Sequence, residues 1–281
     1  MTQRGVVVGF DGSADAEAAL AWGAETARSC HLPLEVVIVA SRIDGDERRH
    51  RAHLEEPVDA WRTSALSRLT ELAVADGEVE IRYGPIVPGL LDASIGAAIL
   101  AVGSSGHGLT SGTLTGSVSQ HVARHATCPV VVVRPQRSPH ARRIVVGVDG
   151  SVESARALRF ACERAAVSGE PVIAVHGYDT LSNRMVAIDG IAAKPATDAS
   201  AAAEILVNDL AVEVSAEFAD VRVEPVAIQS QRPGQVLVAA SAGASLVVVG
   251  SRGRDAFTEL MMGSVSQHVL HHAECPVAVV R

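Results

Sequence analysis

Ile99-Leu100-Ala101-Val102-Gly103-Ser104-Ser105-Gly106-His107-Gly108 is an apolar run that breaks into a glycine-rich turn, and Leu246-Val247-Val248-Val249-Gly250-Ser251-Arg252-Gly253-Arg254-Asp255 repeats the pattern near the other end of the chain. A short apolar run closed by turn residues reads as a buried strand. Glycines beyond it turn the backbone sharply without side-chain bulk, so phosphate oxygens can approach the free amides. After nine intervening residues beyond the second glycine of each turn stand Gly116-Ser117-Val118-Ser119 and Gly263-Ser264-Val265-Ser266. Each reads as the start of a helix. The first N–H groups of a helix lack carbonyl partners and lie at the positive end of its dipole, so they accept an anion. The hydroxyls of Ser117, Ser119, Ser264 and Ser266 add donors.

Outward from these turns the chain repeats itself. Gly5-Val6-Val7-Val8-Gly9-Phe10-Asp11-Gly12-Ser13 matches Arg143-Ile144-Val145-Val146-Gly147-Val148-Asp149-Gly150-Ser151 at an offset of 138, and Gly116 to Val130 matches Gly263 to Val277 at an offset of 147. The second copy therefore carries nine extra residues between its first strand and its glycine-rich turn. The reading is a domain over 1–134, a proline-containing linker over 135–142 and a second domain over 143–281. In copy one, strands are expected at Gly5 to Phe10, Leu34 to Ala40, Val79 to Tyr83, Ile99 to Val102 and Val130 to Val133. Helices are expected at Ala14 to Cys30, about Val58 to Val74, from Val87 to Ser94 and from Ser117 to about His125. Copy two repeats the strands at Ile144 to Val148, Val172 to His176, Val221 to Val226, Leu246 to Val249 and Val277 to Val280, with a lid-like loop over Gly177 to Thr197 running into a helix at Ala199 to Ala216. The fold class is α/β: two tandem Rossmann-like domains, each an open five-stranded parallel sheet with helices on both faces.

In such a sheet the ligand sits beyond the carboxyl ends of the strands, where strand order reverses. Asp11 and Asp149 end the first strand of each copy. A carboxylate repels a polyphosphate, so either it accepts hydrogen bonds from a base or sugar at the other end of the ligand, or it shapes an Asx turn with the glycine after it. The backbone near Val39 and Val175 is the expected third wall for a purine.

Gly-x-x-Gly, nine residues and Gly-Ser, met by Gly103, Gly106, Gly116 and Ser117 and again by Gly250, Gly253, Gly263 and Ser264, resembles the universal stress protein family in its tandem form. The opening Val-Gly-x-Asp-Gly-Ser and the closing Cys-Pro-Val extend the resemblance over essentially the whole chain. It implies an ATP-binding stress-response protein acting as a sensor or switch, one nucleotide per domain, with magnesium. Gly9, Asp11, Gly147 and Asp149 would contact the nucleoside, and Val39 and Val175 would offer backbone to adenine. Gly103, Ser104, Ser105, Gly106 and His107, with Gly250, Ser251, Arg252, Gly253 and Arg254, would border ribose and phosphates. Gly116, Ser117, Val118 and Ser119, with Gly263, Ser264, Val265 and Ser266, would hold the phosphate chain. Copy one has Ser105 and His107 where copy two has Arg252 and Arg254, so its site offers less fixed positive charge.

Other classes fit less well. Neither loop has the Walker A lysine, no HExxH or Cys-x-x-Cys motif is present, and no positioned base is evident, which leaves slow magnesium-dependent hydrolysis as the enzymatic alternative. A protein-interaction module without a nucleotide is a second alternative, and it leaves the doubled glycine sets unexplained. A net charge of −8 and only two Trp, two Tyr and four Phe argue against nucleic acid. No stretch has the length of a membrane span and no export leader opens the chain, so a cytoplasmic location is expected. His121 and His125, repeated as His268 and His272, and the four dispersed cysteines read as packing or surface residues. So do Trp22 and Trp61.

Val130 to Val133 and Val277 to Val280, the last strand of each copy, are expected to be apolar edges. Related edges in one chain can pair about a pseudo-twofold axis, giving an internal pseudo-dimer, and further homodimerisation would need another surface. A signalling or client protein is the implied but unidentified partner. Cysteines placed at Val132 and Val279, and at neighbouring positions along the two strands, are expected to cross-link within one chain. Cross-linking of distant surface pairs alone would overturn the edge pairing.

Overall fold

The structure is a computed structural model and describes residues 4–40, 47–74, 76–106, 116–134, 138, 140–179, 196–253 and 262–281. The chain divides into two compact units, one ending at Pro135 and the other beginning at Gln136.

In the first unit β1 (Arg4–Gly9), β2 (Leu34–Ala40), β3 (Glu78–Tyr83), β4 (Ala97–Gly103) and β5 (Val130–Val133) alternate with α1 (Ala14–Cys30), α2 (Glu47–Glu71), α3 (Ile86–Ser94) and α4 (Ser117–His125). All neighbouring strands are parallel, in the order β3-β2-β1-β4-β5. Chain order reverses between β1 and β4, which makes the cleft at their carboxyl ends the switch point of the sheet. Val6, Val7 and Val8 are at most 1% exposed, as a strand covered on both faces requires. The small side chains of Ala16, Ala19, Ala24 and Ala27 let α1 lie close on that strand, with Leu20 filling the space between.

The second unit repeats the plan with β6 (Ile144–Gly147), β7 (Val172–Tyr178), β8 (Val223–Gln229), β9 (Leu246–Gly250) and β10 (Val277–Val280). Its strand order is β8-β7-β6-β9-β10, again parallel. Its helices are α5 (Val152–Ser168), α6 (Ala196–Ser215), α7 (Pro233–Ser241) and α8 (Ser264–His272). Pro225 lies inside β8, where one flank of the strand has no partner within its own unit and a missing N–H is tolerated.

The structure differs from the sequence reading in three places. α2 begins at Glu47 and continues through Pro57, because the charged run Arg48 to Arg51 shows no apolar periodicity to mark a helix. Gly177 and Tyr178 belong to β7, and residues 180–195 of the expected loop lie outside the described residues. β8 runs from Val223 to Gln229, so it begins two residues later and ends three residues later than the expected strand at Val221 to Val226.

Cys128, Cys162 and Cys275 are buried and Cys30 is half-exposed. Burial raises the Cys128 thiol and pushes Cys162 up to about 11, holding both in the unreactive protonated form. At pH 8 a colorimetric thiol reagent should therefore find one fast-reacting cysteine in the native chain, Cys30, and all four in denaturant. Rapid native reaction of Cys162 would contradict this packing.

Candidate functional site

Asp11 ends β1 by closing a turn. Its Oδ1 accepts from the Ser13 N–H at 3.0 Å and from Ser13 Oγ at 2.6 Å, while Ser13 Oγ accepts from the Ala16 N–H at 3.2 Å and caps α1. Gly12 sits at φ 77°, a left-handed conformation that side chains disfavour. The other carboxylate oxygen points to the glycine-rich turn: a methyl placed on Gly106 would stand 2.7 Å from Asp11 Oδ2. One carboxylate oxygen thus closes the Asx turn and the other faces the glycine-rich turn.

A cavity of about 360 Å³ opens at the switch point. It gathers Gly9, Asp11, Val39, Gly103, Ser104, Ser105, Gly106, Gly116, Ser117, Val118 and Ser119. Every candidate residue of the first copy is among them except His107, which lies outside the described residues. Its size falls at the lower end of the range for small-molecule sites. The wall is chemically divided. Val37, Val39, Trp61, Ile86 and Leu90 form an apolar end, whereas the Gly103 to Gly106 turn and the start of α4 supply amides and hydroxyls.

Gly116 is the N-cap of α4 in an extended conformation, and no side chain caps the helix there. The N–H of Gly116 donates to the Ser104 carbonyl at 2.7 Å, which ties the helix start to the glycine-rich turn. The first-turn amides of α4 remain for an anion. Ser119 behaves differently from the sequence reading. It is 3% exposed and its hydroxyl donates to the Gly116 carbonyl at 2.9 Å, so the hydroxyl is committed to the backbone and only the N–H remains to offer an anion. Ser266 is likewise buried and its hydroxyl likewise committed, but to a different carbonyl, that of Gly250 at 2.5 Å. Ser117 and Ser264 are exposed and keep hydroxyls available.

The second copy has the same backbone plan. Asp149 Oδ1 accepts from the Ser151 N–H at 3.0 Å and Ser151 Oγ at 2.6 Å, Gly150 has φ 80°, and a methyl on Gly253 would collide with Asp149 Oδ2. Gly263 donates its N–H to the Ser251 carbonyl at 2.9 Å and caps α8 in an extended conformation, which sets Val265 and Ser266 in the first turn. Gly147 and Gly250 occupy the ends of β6 and β9 as Gly9 and Gly103 do those of β1 and β4. Arg254 lies outside the described residues.

Strand register corrects one equivalence. Gly9 pairs with Val37 and Gly147 with Val175, so Val175 corresponds to Val37, and the counterpart of Val39 is Gly177. The Val37 and Val175 carbonyls accept from the Phe10 and Val148 N–H groups, each at 2.9 Å.

Side chains around the two sites differ. Trp61, read from sequence as a packing residue, lines the first cavity and packs its ring against Gly12, whereas Leu206 takes that place beside Gly150. Nothing local marks Trp61 as a site residue; only the crossing of α2 over the end of β1 brings it there. In copy one the Asp15 carboxylate sits behind the glycine-rich turn. In copy two Glu153 replaces it and pairs with Arg252 at 3.5 Å, which offsets part of the extra positive charge expected there. Among the described residues Ser251 Oγ is buried without a hydrogen-bond partner. Burial, with the charge of nearby Arg252, lowers the pKa of Arg281. The His268 and His272 rings stand 4.6 Å apart on α8, and burial followed by the His272 charge lowers the pKa of His268.

Comparison with known proteins gives a consistent answer. The family model described as "Universal stress protein family" matches residues 3–134 and again 140–281. Universal stress protein Rv2005c of Mycobacterium tuberculosis is 34% identical, over 99% of this chain and 97% of the relative. Universal stress protein Rv2623 of the same organism is 33% identical, over 99% and 96%. A universal stress protein from Archaeoglobus fulgidus shares the fold at a TM-score of 0.74 and 18% identity, over 99% of this chain and 98% of that one. With two matches of the family model in tandem and relatives alike over their full length, the chain belongs to the universal stress protein family.

Proposed function

We propose that each repeat binds one ATP and that the chain acts as a nucleotide-dependent regulatory switch rather than as a catalyst. The observation that carries this reading is the first cavity, whose apolar end and amide-rich end match the two ends of a nucleotide. The base would lie among Val37, Val39, Ile86, Leu90 and Trp61. Asp11 Oδ2 would accept from ribose hydroxyls, which suits a carboxylate better than a place beside phosphates. The Gly103 to Gly106 turn and the first turn of α4 would take the phosphate chain.

Magnesium would arrive with the nucleotide. Among the described residues no three of His, Cys, Asp and Glu stand together as a cage. The ion would then be held chiefly by phosphate oxygens and water, its usual manner in nucleotide sites. The second repeat would bind its ATP through Gly147, Asp149, Val175, the Gly250 to Gly253 turn and the Gly263 to Ser266 helix start. In a switch of this kind a client protein reads the nucleotide state, and its identity is open to capture with loaded and stripped protein.

Calorimetry on folded, nucleotide-free protein should give about two ATP sites per chain. Gly106→Ala and Gly253→Ala should each abolish or weaken by about tenfold or more the site of their own repeat, because the added methyl meets the Asp11 or Asp149 carboxylate. One site or none in the parent chain, or two undisturbed sites in both variants, would defeat the reading.

Binding should also outrun turnover. The loops hold no Walker lysine, and the Asp11 oxygen not facing Gly106 is committed to Ser13. With saturating ATP and magnesium, single-turnover hydrolysis should fall well below about 1 per second, the slow end of ordinary enzymes. A faster step would recast the protein as an ATPase.

A further inference from the structure

The donors of the first glycine-rich turn already have an anion. Asp15 Oδ2 accepts from Ser104 Oγ at 2.6 Å, from the Ser105 N–H at 2.9 Å and from Ser105 Oγ at 2.5 Å. Three donors converging on one carboxylate oxygen is how such a turn would hold a phosphate oxygen. Ser104 and Ser105 themselves line the cavity. Among the described residues Asp15 makes no ion pair, so its charge is balanced only by these hydrogen bonds and by the start of α1.

The second repeat is an internal comparison. Glu153, one methylene longer, turns to Arg252 instead, and Ser251 Oγ, the counterpart of Ser104 Oγ, stays without a partner. At the same point of the same fold one site thus has a carboxylate on its turn donors, and the other has, among the described residues, an unpartnered buried hydroxyl and a carboxylate turned to a guanidinium.

We propose that Asp15 is a specificity-determining residue of the first site: by occupying the turn donors and placing negative charge behind them, it lowers the preference for ATP over AMP there relative to the second site. The inference rests on the nucleotide reading above. Asp15 acts through Ser104 and Ser105, so it is a positioning residue. Its effect grows with the number of phosphates. AMP brings little charge to the turn, whereas the distal phosphates of ATP both compete with the carboxylate for donors and feel its charge.

The test can be read at the first site alone, because Trp22 and Trp61, the only two tryptophans, belong to the first repeat, and Trp61 lines the cavity. Tryptophan emission of the full chain is titrated with AMP and with ATP, without magnesium, for the parent protein, Asp15→Asn and Asp15→Ser. Calorimetry on the same proteins carrying Gly253→Ala gives the same affinities independently of emission. Both Asp15 variants should tighten ATP about five- to tenfold while AMP changes less than about twofold, and the gain should shrink at high salt. Two substitutions are used so that misfolding of one, seen by circular dichroism, leaves the other to decide. An unchanged ratio of ATP to AMP affinity overturns the proposal, as does equal weakening of both nucleotides, the mark of a merely structural role. If neither nucleotide binds the parent chain, the nucleotide reading falls and the proposal with it; binding with an unchanged ratio removes the proposal alone.

Discussion

The hydrogen bonds from Ser13 to Asp11 Oδ1 hold the site and the fold together at one point. β1 must stop there, and the chain must reverse into α1 within two residues. Asp11 supplies the acceptor that closes the turn, Gly12 the left-handed backbone, and Ser13 the cap for the first amides of the helix. With Oδ1 fixed in this way, the carboxylate plane has little freedom, and Oδ2 is held toward Gly106 on the neighbouring β4 connection. Gly106 has no room for a side chain for that reason, and Gly12 has none because the Trp61 ring stands against it. The same three residue types, Asp149, Gly150 and Ser151, impose the same constraint on the second repeat.

Most of the fold was legible because its elements announce themselves by period and punctuation. α1, β2, α4, β5 and β10 fall at the residues where the sequence places them, each bounded by Gly, Ser, Pro or a change of period. The errors arise where such marks mislead. The second helix is expected from about Val58, whereas α2 continues back through Pro57 to Glu47, and the strand containing Pro225 is expected to end at Val226, whereas β8 runs on to Gln229.

The site was legible where backbone makes it. Glycines and the residues of strand ends are local features, so Gly9, Gly103, Gly106 and Gly116 could be found in order along the chain. Side chains brought in by another element were not legible. Trp61 comes from a helix whose crossing angle no local pattern encodes. Asp15 lies in the first turn of α1, where a carboxylate is the ordinary complement to the helix dipole. Only the position of the Gly103 to Gly106 turn above it gives that carboxylate another set of partners. The exchange of Val37 for Val39 as counterpart of Val175 has a similar origin, since register is fixed by pairing with β1 and not by the valines themselves.

The repeats therefore diverge in a particular manner. Positions that set backbone geometry are the same in both: Asp-Gly-Ser after the first strand, paired glycines after the fourth, and Gly-Ser before the last helix. Positions that set the charge and shape around that backbone differ, with Trp61 against Leu206, Asp15 against Glu153 and Ser105 against Arg252. A change at a backbone-setting position would strain a turn or bring a methyl against a carboxylate, and so would damage the fold along with the site. A change at a side-chain position leaves the turn intact and alters only what the turn presents. Duplication of one scaffold thus gives two cradles of equal geometry and unequal chemistry. If each repeat holds a nucleotide, as proposed, that inequality would let a single chain respond to two nucleotide states, because two identical sites would fill together and report only one.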